Sequence, residues 1–487
     1  MANAARVVRS RSDSPSLARK GVREANLSPV LSLVEREKER VLSALRQLIA
    51  IPSISTKPEN RKEVERCAEW LATHLSDIGM TNSRIVRTAG HPVVTGEWRD
   101  DQRKPELLVY GHYDVQPPEP LELWSTPPFE ATIRDNRIYG RGTTDDKGQF
   151  FIHLKAIEAY LRGAGTLPVH VKVILEGEEE IGSPHLGKFL AENKEWLRSD
   201  VAVISDTPFF APGVPSICYG LRGNVYMEVE VVGPHQDLHS GSHGGAVHNP
   251  IQVLAEIIAQ LHDHDGRITI PGFYDDVRPL STRERKSFRQ LPWSDARYAR
   301  ELGVRKLYGE RGFTTLERLW ARPTLDCHGI WGGFTSPGSK TVIPSKAVAK
   351  ISMRIVPDQR PEHIAKLFTT HAQKLCPQTA RVSVKCLHTG EAALVPLQSP
   401  GVEAAAVAMT KSFGKKPVYQ REGGSIPIIT SLKRMLGIDT VLLGFGLPDE
   451  NAHAPNEFLD LGNFFGGILA AIHFYDELSR RIERKGE

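Results

Sequence analysis

The sequence has little cysteine, almost no net charge and no long apolar run. Its 487 residues include five cysteines, at positions 67, 218, 327, 376 and 386, and no Cys-x-x-Cys pair. This sparse, odd set is typical of reduced thiols in a cytoplasmic protein and excludes a disulfide framework. A formal charge of +4 over the whole chain gives no reason to expect nucleic acid or a membrane surface as a partner. No apolar run approaches the roughly 18 residues that a transmembrane helix needs.

The first 28 residues differ from the rest of the chain. They carry six arginine or lysine residues against Asp13 and Glu24, and they contain no apolar stretch of the kind found in secretory signals. We expect residues 1–28 to be a disordered basic tail. An organellar transit peptide is the alternative, because the segment is rich in arginine and serine and poor in acids.

Beyond the tail, short β-branched runs alternate with helical stretches. This alternation predicts an α/β fold with a mostly parallel mixed sheet flanked by helices. Between residues 221 and 392 the strands instead alternate apolar with polar residues, which predicts an antiparallel sheet in an inserted α+β domain. We therefore expect a catalytic domain in two segments, 29–220 and 393–487, with the inserted domain between them. The charged, aromatic stretch 264–322 fits neither pattern.

Acids and histidines follow apolar strand-like runs at five separate places. The five groups are His112 with Asp114, Asp145 with Asp146, Glu178 to Glu180, Asp206, and His453. In open α/β sheets the ligand crevice lies outside the carboxyl ends of the strands. These groups could therefore all meet in one site.

The residue types in these groups favour a metal centre. Histidine and carboxylate ligands without cysteine suit zinc or manganese. Two metals need a bridging carboxylate, and an additional carboxylate that binds no metal can deprotonate water. Each group alone has a simpler interpretation as a loop histidine, a turn aspartate or a solvated charge run. The repeated placement after strands favours the site.

The chain also contains a set of motifs that resembles the dinuclear zinc peptidases. These motifs are GHYDVQP, YGRGTTDDKG, LEGEEEIGS, ISD, DLHSG, KTVIPSKAVAKISMRIVP, REGGSIP and NAHAPNE, and they run from about residue 30 to the carboxyl terminus. The family includes cytosolic nonspecific dipeptidase, carnosinase, aminoacylase, glutamate carboxypeptidase and succinyl-diaminopimelate desuccinylase. DLHSG and REGGSIP resemble the dipeptidase branch. The resemblance implies a zinc-peptidase-like catalytic domain and an inserted lid or dimerisation domain.

The resemblance implies two Zn²⁺ ions per chain, with Mn²⁺ as the alternative in the cell. It assigns His112 and Asp206 to one metal, Glu180 and His453 to the other, and Asp145 to the bridge between them.

Two neighbouring features follow from the same motifs. The resemblance implies that Asp114 accepts a hydrogen bond from His112 and that the Asp145–Asp146 peptide is cis. It also implies that Glu179 is the general base for a water bridging the two metals. We expect Glu178 to face solvent.

The inserted segment supplies the remaining candidates. By resemblance, His239 is donated across a homodimer interface to stabilise the oxyanion, and Arg354 binds the substrate carboxylate. Further candidates for substrate contacts are Thr341, Gly424 and Ser425.

The expected function is hydrolysis of dipeptides or closely related small amides. An N-acyl amino acid deacylase or desuccinylase, or a carboxypeptidase of the same family, is the alternative. A non-catalytic binding protein on the same fold is a more distant alternative, which predicts loss of a ligand or of the base. Every matching position retains the required chemistry.

Overall fold

The computed structural model describes residues 26–424 and 426–482, and its largest element is one mixed β-sheet. Most of the predicted tail (residues 1–25) and Ser425 therefore lie outside the described residues. The strands of the described chain are β1 (Thr81–Val86), β2 (Val93–Trp98), β3 (Glu106–His112), β4 (Thr132–Arg134), β5 (Arg137–Tyr139), β6 (His170–Glu176), β7 (Val201–Ile204), β8 (Ser216–Leu221), β9 (Gly223–Val232), β10 (Leu238–His239), β11 (Thr324–Gly332), β12 (Val342–Ile343), β13 (Lys346–Ile355), β14 (Arg381–Gly390), β15 (Ala393–Leu394), β16 (Val418–Glu422), β17 (Asp439–Leu442) and β18 (Phe458–Asp460).

The helices pack around these strands. Those of the described chain are α1 (Ser28–Arg36), α2 (Lys38–Ile49), α3 (Arg61–Asp77), α4 (Lys147–Ala164), α5 (Leu186–Glu192), α6 (Lys194–Leu197), α7 (Ser240–His243), α8 (Pro250–Ala259), α9 (Thr282–Arg289), α10 (Asp295–Glu301), α11 (Thr315–Trp320), α12 (Pro361–Leu375), α13 (Pro400–Phe413), α14 (Pro427–Leu436) and α15 (Leu461–Arg481). No helix in 26–424 or 426–482 has the length and apolar content that a membrane crossing requires.

The large sheet is parallel at its centre and mainly antiparallel toward its margins. Its strand order is β1-β2-β6-β3-β7-β17-β8-β15, with β16 beside β8. The pairs β6–β3, β3–β7 and β7–β17 are parallel. The pairs β1–β2, β2–β6 and β8–β15 are antiparallel. The predicted α/β class with a mixed sheet and flanking helices is confirmed.

The central strands are apolar on both faces because helices cover both. Leu107 and Val109 of β3 belong to one core cluster, together with residues of α4, α13 and α15. Leu108 and Tyr110 belong to a second cluster, together with residues of α5 and α14. Successive side chains of a strand point to opposite faces, so each strand contributes to both cores. Among the polar side chains of these strands, His112 lies at the carboxyl end of β3.

A separate four-stranded antiparallel sheet has the order β11-β13-β9-β14. Along β9 the odd-numbered residues from Val225 to Val231 are buried against α8 and α12, and the even-numbered residues lie on the other face. The chain leaves the large sheet after Leu221 and rejoins it at Ala393, and these two residues are register partners in the β8–β15 pair. The predicted antiparallel sheet is confirmed.

The stretch 264–322, which the sequence pattern left open, contains the three short helices α9, α10 and α11. Both α9 and α11 begin with a capping box, in which Ser281 pairs with Glu284 and Thr314 with Glu317. Phe288 and Trp320 from these helices pack edge to face in a small core that also includes Tyr219 of β8.

Candidate metal centre

Polar side chains gather at the carboxyl ends of the three central parallel strands. His112 is the last residue of β3, the acidic triplet follows β6, and Asp206 follows β7. Since these strands are adjacent and parallel, their ends lie at the same edge of the sheet. The polar groups therefore gather at the edge of the sheet where the sequence predicts them.

His112, Asp145 and Asp206 form the first group. Each offers one ligand atom, and these atoms lie within 4.8 Å of one another. The Nε2 atom of His112 lies 3.1 Å from Asp145 Oδ1 and 4.0 Å from Asp206 Oδ2. The imidazole is buried, and its Nε2 faces the two carboxylates.

Asp145, Glu180 and His453 form the second group, with ligand atoms within the same 4.8 Å limit. His453 Nε2 lies 2.8 Å from Asp145 Oδ2 and 3.4 Å from Glu180 Oε2. Asp145 belongs to both groups and turns one oxygen toward each histidine. The structure thus brings together all five residues that the resemblance assigned to the metals, with the predicted bridge between the two groups.

These residues fit a cation site. Their donors are nitrogen and oxygen only, and among the described residues the buried Oε1 of Glu180 has no hydrogen-bond partner. Burial and the nearby Asp145 carboxylate raise the pKa of Asp206 to about 8. Hydrogen bonds to Asp145 and Glu180 raise the pKa of His453 to about 11. The negative charge of Asp145 and Glu180 contributes to both shifts, and a divalent cation would balance this charge in place of protons.

The loop that carries Asp145 is held by a buried carboxylate. Glu457 accepts hydrogen bonds from the backbone N–H groups of Gly142 (3.1 Å), Thr144 (2.9 Å) and Asp145 (3.2 Å). It also forms a buried ion pair with Arg141, whose Nη1 lies 2.6 Å from Glu457 Oε2. The Asp145–Asp146 peptide bond is cis, as the resemblance implied. Glu457 thus fixes the loop from a distant part of the chain.

Asp114 links the carboxyl end of β3 to the acidic triplet. Its carboxylate accepts hydrogen bonds from the backbone N–H groups of Glu179 (3.2 Å) and Glu180 (3.1 Å). His112 Nδ1 lies 3.1 Å from the backbone oxygen of Asp114 and 3.5 Å from its Oδ1. The nearer partner of the ring is therefore the backbone carbonyl, and the Asp114 side chain mainly holds the acidic triplet.

Glu179 and Glu178 have different surroundings. Glu179 is half-buried; burial and the neighbouring carboxylates of Asp206 and Glu180 raise its pKa well above the usual range. Glu178 does not face solvent, and that prediction was wrong. Its carboxylate is buried, accepts a hydrogen bond from the His91 N–H (2.9 Å) and pairs with His185 Nδ1 at 2.9 Å. A run of glutamates predicts exposure only when no partner from another segment approaches it.

The sequence interpretation gave no role to two polar side chains at this site. Gln116 Nε2 donates a hydrogen bond of 2.7 Å to Glu180 Oε2, and Glu457 holds the Asp145 loop. Both belong to motifs quoted above, GHYDVQP and NAHAPNE. Membership of these motifs was the one sequence feature that pointed to Gln116 and Glu457 as site residues, because their hydrogen-bond partners lie far away in sequence.

His239 and Thr341 lie together in the inserted segment. β10, which ends at His239, pairs with β12, and the Thr341 carbonyl accepts a hydrogen bond of 3.1 Å from Ser240 N–H. The exposed His239 ring accepts a hydrogen bond from Gly241 N–H. Within the described chain, neither side chain forms a hydrogen bond or ion pair with the two ligand groups. The metal-ligand groups and this pair are therefore not joined by direct polar contacts within one chain.

Arg354 lies on β13 of the antiparallel sheet, opposite Asn224 of β9 and Thr324 of β11. It is half-buried, and burial lowers its pKa, an effect that Asp326 opposes. Gly424 is exposed and lies between β16 and α14. Its predicted companion Ser425 lies outside the described residues.

Comparisons with known proteins show which family and which solved structures the chain resembles. A family model described as peptidase family M20/M25/M40 matches residues 108–477. The Cys-Gly metallodipeptidase of Candida albicans is 34% identical over 471 residues, which cover 92% of this chain and 97% of that protein. Human carnosine dipeptidase 1 has a solved structure with a TM-score of 0.81 and 31% identity, covering 94% of this chain and 99% of that one. The M20-family metallo-carboxypeptidase Sso-CP2 of Sulfolobus solfataricus has a solved structure with a TM-score of 0.82 and 33% identity. The match covers 90% of this chain and 99% of that one.

Proposed function

This chain belongs to peptidase family M20/M25/M40, and from that membership we propose that it is a metal-dependent dipeptidase. Its substrates are dipeptides or closely related small amides. The observation that carries the proposal is the position of Asp145, which turns one carboxylate oxygen toward each of two histidines. The carboxylate of Glu179, in the acidic triplet whose backbone Asp114 holds, interacts electrostatically with His112, Asp206 and Glu180. The names of the dipeptidase relatives support the substrate class.

The cofactor of this proposal is a pair of Zn²⁺ ions, with Mn²⁺ as the alternative in the cell. His112 and Asp206 would hold one ion, Glu180 and His453 the other, and Asp145 both. When bound, such ions polarise the substrate carbonyl and make water more acidic. Gln116 and Asp114 orient the ligands: Gln116 donates a hydrogen bond to Glu180, and Asp114 holds the Glu180 backbone.

Glu179 is the general base of the proposed reaction. Its carboxylate takes a proton from the attacking water and then delivers it to the nitrogen of the leaving amine. Burial raises the pKa of Glu179 and so favours uptake of the proton. A base of this kind typically contributes about 10²–10⁴-fold to the rate.

The substrate-binding residues come from the other sheet. We assign the substrate carboxylate to Arg354, whose planar guanidinium suits a bidentate contact, with Gly424 and Ser425 as further contacts. His239 acts on the substrate of a partner chain in a homodimer, and Thr341 beside it is a further substrate contact. The exposure of the His239 ring, and the lack of a polar contact with the ligand groups of its own chain, support this arrangement.

The same proposal covers organisation and location. The catalytic domain comprises residues 29–220 and 393–487, and the inserted domain comprises residues 221–392. The separate antiparallel sheet, whose strands lie between Gly223 and Gly390, supports the division. A cytoplasmic location is supported by the five cysteines, none of which forms a disulfide.

Carboxypeptidase activity is the second candidate, because the chain is as similar to Sso-CP2 as to the dipeptidases. Both reactions need a free substrate carboxylate and the same base, so the site alone fits either. They differ in the length of the peptide on the amino side of the cleaved bond.

A substrate panel separates these candidates. Purified enzyme with added Zn²⁺ or Mn²⁺ is assayed on dipeptides, on tri- and tetrapeptides with the same carboxyl-terminal residue, and on N-acyl amino acids. We expect dipeptides to be cleaved at the highest kcat/KM. Preferential release of the terminal residue from longer peptides would show a carboxypeptidase instead, and preference for N-acyl amino acids a deacylase.

The chemical step is tested with Glu179→Gln, which keeps the size of the side chain and removes its basicity. We expect kcat to fall by about 10²–10⁴-fold while the metal content per chain stays at the wild-type value. The matched control is Glu195→Gln at an exposed surface ion pair with Arg198. Near-normal turnover of Glu179→Gln would show that the base has been misassigned.

A further inference from the structure

Arg222 is the single residue between β8 of the large sheet and β9 of the antiparallel sheet. Its backbone N–H donates a hydrogen bond of 3.2 Å to the carbonyl of Glu422, at the end of β16. This contact places Arg222 beside the segment Gly423–Gly424, to which the proposed function assigns part of the carboxylate site.

The Arg222 guanidinium lies against the backbone of Gly423. A Cβ atom added at Gly423 would be 2.7 Å from Arg222 Nη2, so any larger residue there would displace the guanidinium. The Nε and Nη1 atoms of Arg222 are buried, and neither has a hydrogen-bond partner among the described residues. Buried guanidinium donors normally have partners, because leaving them without one is unfavourable.

Arg354 is the second cation of this region. It lies on β13 opposite Asn224, which follows Arg222 by two residues in the chain. Burial, together with the charge of Arg354, lowers the pKa of Arg222 to about 10. The acids that oppose this effect are Asp326 and Glu422. In the part of the chain that the structure describes, neither acid lies within the 4.0 Å ion-pair distance of either guanidinium.

Two neighbouring guanidinium groups without a paired carboxylate form an incomplete anion site. The substrate of the proposed function carries one suitable anion, its terminal carboxylate, which has two oxygens and can accept hydrogen bonds from two forks. We propose that Arg222 binds this carboxylate together with Arg354 and so restricts the enzyme to substrates with a free carboxyl terminus. This assignment rests on the proposed function.

The test measures carboxylate recognition without turnover. The probe is 5-aminolevulinate, the analogue of glycylglycine in which a methylene group replaces the peptide nitrogen, compared with its carboxamide. Both are titrated calorimetrically into metal-loaded enzyme. We expect wild type to bind the acid more tightly than the amide. In Arg222→Gln the affinity for the acid should fall by about 10- to 150-fold, the range for a hydrogen bond to a charged group, with amide binding unchanged. Arg222→Lys should lose less affinity for the acid than Arg222→Gln, since lysine keeps the positive charge but lacks the two parallel N–H donors of a guanidinium.

A second variant acts on Arg222 without replacing it. Gly423→Ala should displace the guanidinium and produce the same selective loss of acid binding. The matched control, Arg297→Gln at an exposed ion pair with Glu301, should bind both probes as wild type does. Equal affinity of wild type for acid and amide, or equal losses for both probes in Arg222→Gln and Gly423→Ala, would overturn the assignment. Wild-type enzyme that prefers the acid but hydrolyses no dipeptide would contradict the proposed function and leave the role of Arg222 intact.

Discussion

The buried pair formed by Arg141 and Glu457 gives the sharpest prediction about how this site is built. Replacing Glu457 by Gln keeps the volume and removes the charge. The Arg141 guanidinium then stays buried without its counterion, and the Gln amide group offers one acceptor oxygen where the carboxylate offered two. Glu457 accepts three backbone N–H groups of the loop that carries Asp145, so the loop loses part of its anchor.

The magnitude follows from the burial of both partners, whose side chains are at most 1% exposed. Removing one member of a buried ion pair costs about 3–5 kcal/mol, mostly because of the charge left behind. For a chain of 487 residues the unfolding entropy is about 1 kcal/mol/K, so the melting temperature should fall by about 3–5 °C. Residues that orient metal ligands typically affect metal affinity by about 10–100-fold. Glu457→Gln should therefore also weaken metal binding.

The assays are thermal unfolding of the metal-free protein and metal titration by calorimetry. The matched control is Glu301→Gln, at the exposed ion pair with Arg297. Its melting temperature should equal that of the wild type. The double variant Arg141→Met/Glu457→Gln should be more stable than Glu457→Gln alone, since it removes the uncompensated guanidinium. A Glu457→Gln protein that melts within about 1 °C of wild type and binds metal equally well would refute the reasoning.

Three further predictions concern the metals, the dimer and pH. Purified enzyme should contain close to two metal equivalents per chain, and chelation should lower its melting temperature. The reason is that each bound ion adds about 2.7 kcal/mol to the free energy of unfolding when the free ion concentration is 100 times its Kd. A metal content near one per chain that added metal does not raise would contradict the dinuclear site. If His239 acts across the dimer as an oxyanion donor, its loss should lower kcat by about 10²–10³-fold. Mixing the inactive variants His239→Ala and Glu179→Gln under subunit exchange should then restore roughly a quarter of wild-type activity. Tagged heterodimers as inactive as their parents would exclude the shared site. Burial lowers the pKa of His153 in the folded chain to about 3, whereas the pKa of an unperturbed histidine is about 6.5. Between about pH 3 and about 6.5 the unfolded chain therefore binds a proton at this residue that the folded chain does not. Over this window the free energy of unfolding should fall by about 1.4 kcal/mol for each pH unit of acidification. In urea titrations His153→Gln should show a shallower fall over this window, and parallel profiles would contradict the assignment.

The convergence of the proposed ligand residues could be predicted because it depends on local pattern. His112 and Asp206 follow apolar runs that form central parallel strands, and strand ends converge at one edge of such a sheet. The residues that hold the ligands depend on contacts between distant segments. Glu457 reaches the Asp145 loop across more than 300 positions of sequence. No periodicity in either segment indicates that contact.

The wrong prediction for Glu178 has the same origin. Three consecutive glutamates are a solvated run if only their own segment is considered. In the fold, the segment around His91 approaches from one side, and a Cβ at Gly90 would lie 1.7 Å from Glu178 Oε1. The absence of a side chain at Gly90 therefore creates the space that buries the carboxylate. The sequence shows the glycine but not what it adjoins.

The pairing of Leu221 with Ala393 has a consequence for how such a chain can be rearranged. Since β8 and β15 are antiparallel neighbours there, they form a hairpin whose connecting loop is the whole segment 222–392. A loop whose two ends are already adjacent can be lengthened, shortened or exchanged without moving the strands that flank it. In evolutionary terms, the segment could be gained or replaced as one unit while the register of the large sheet stayed the same. Joining Leu221 to Ala393 through a tight turn is the corresponding deletion, and Arg222 is the first residue it would remove.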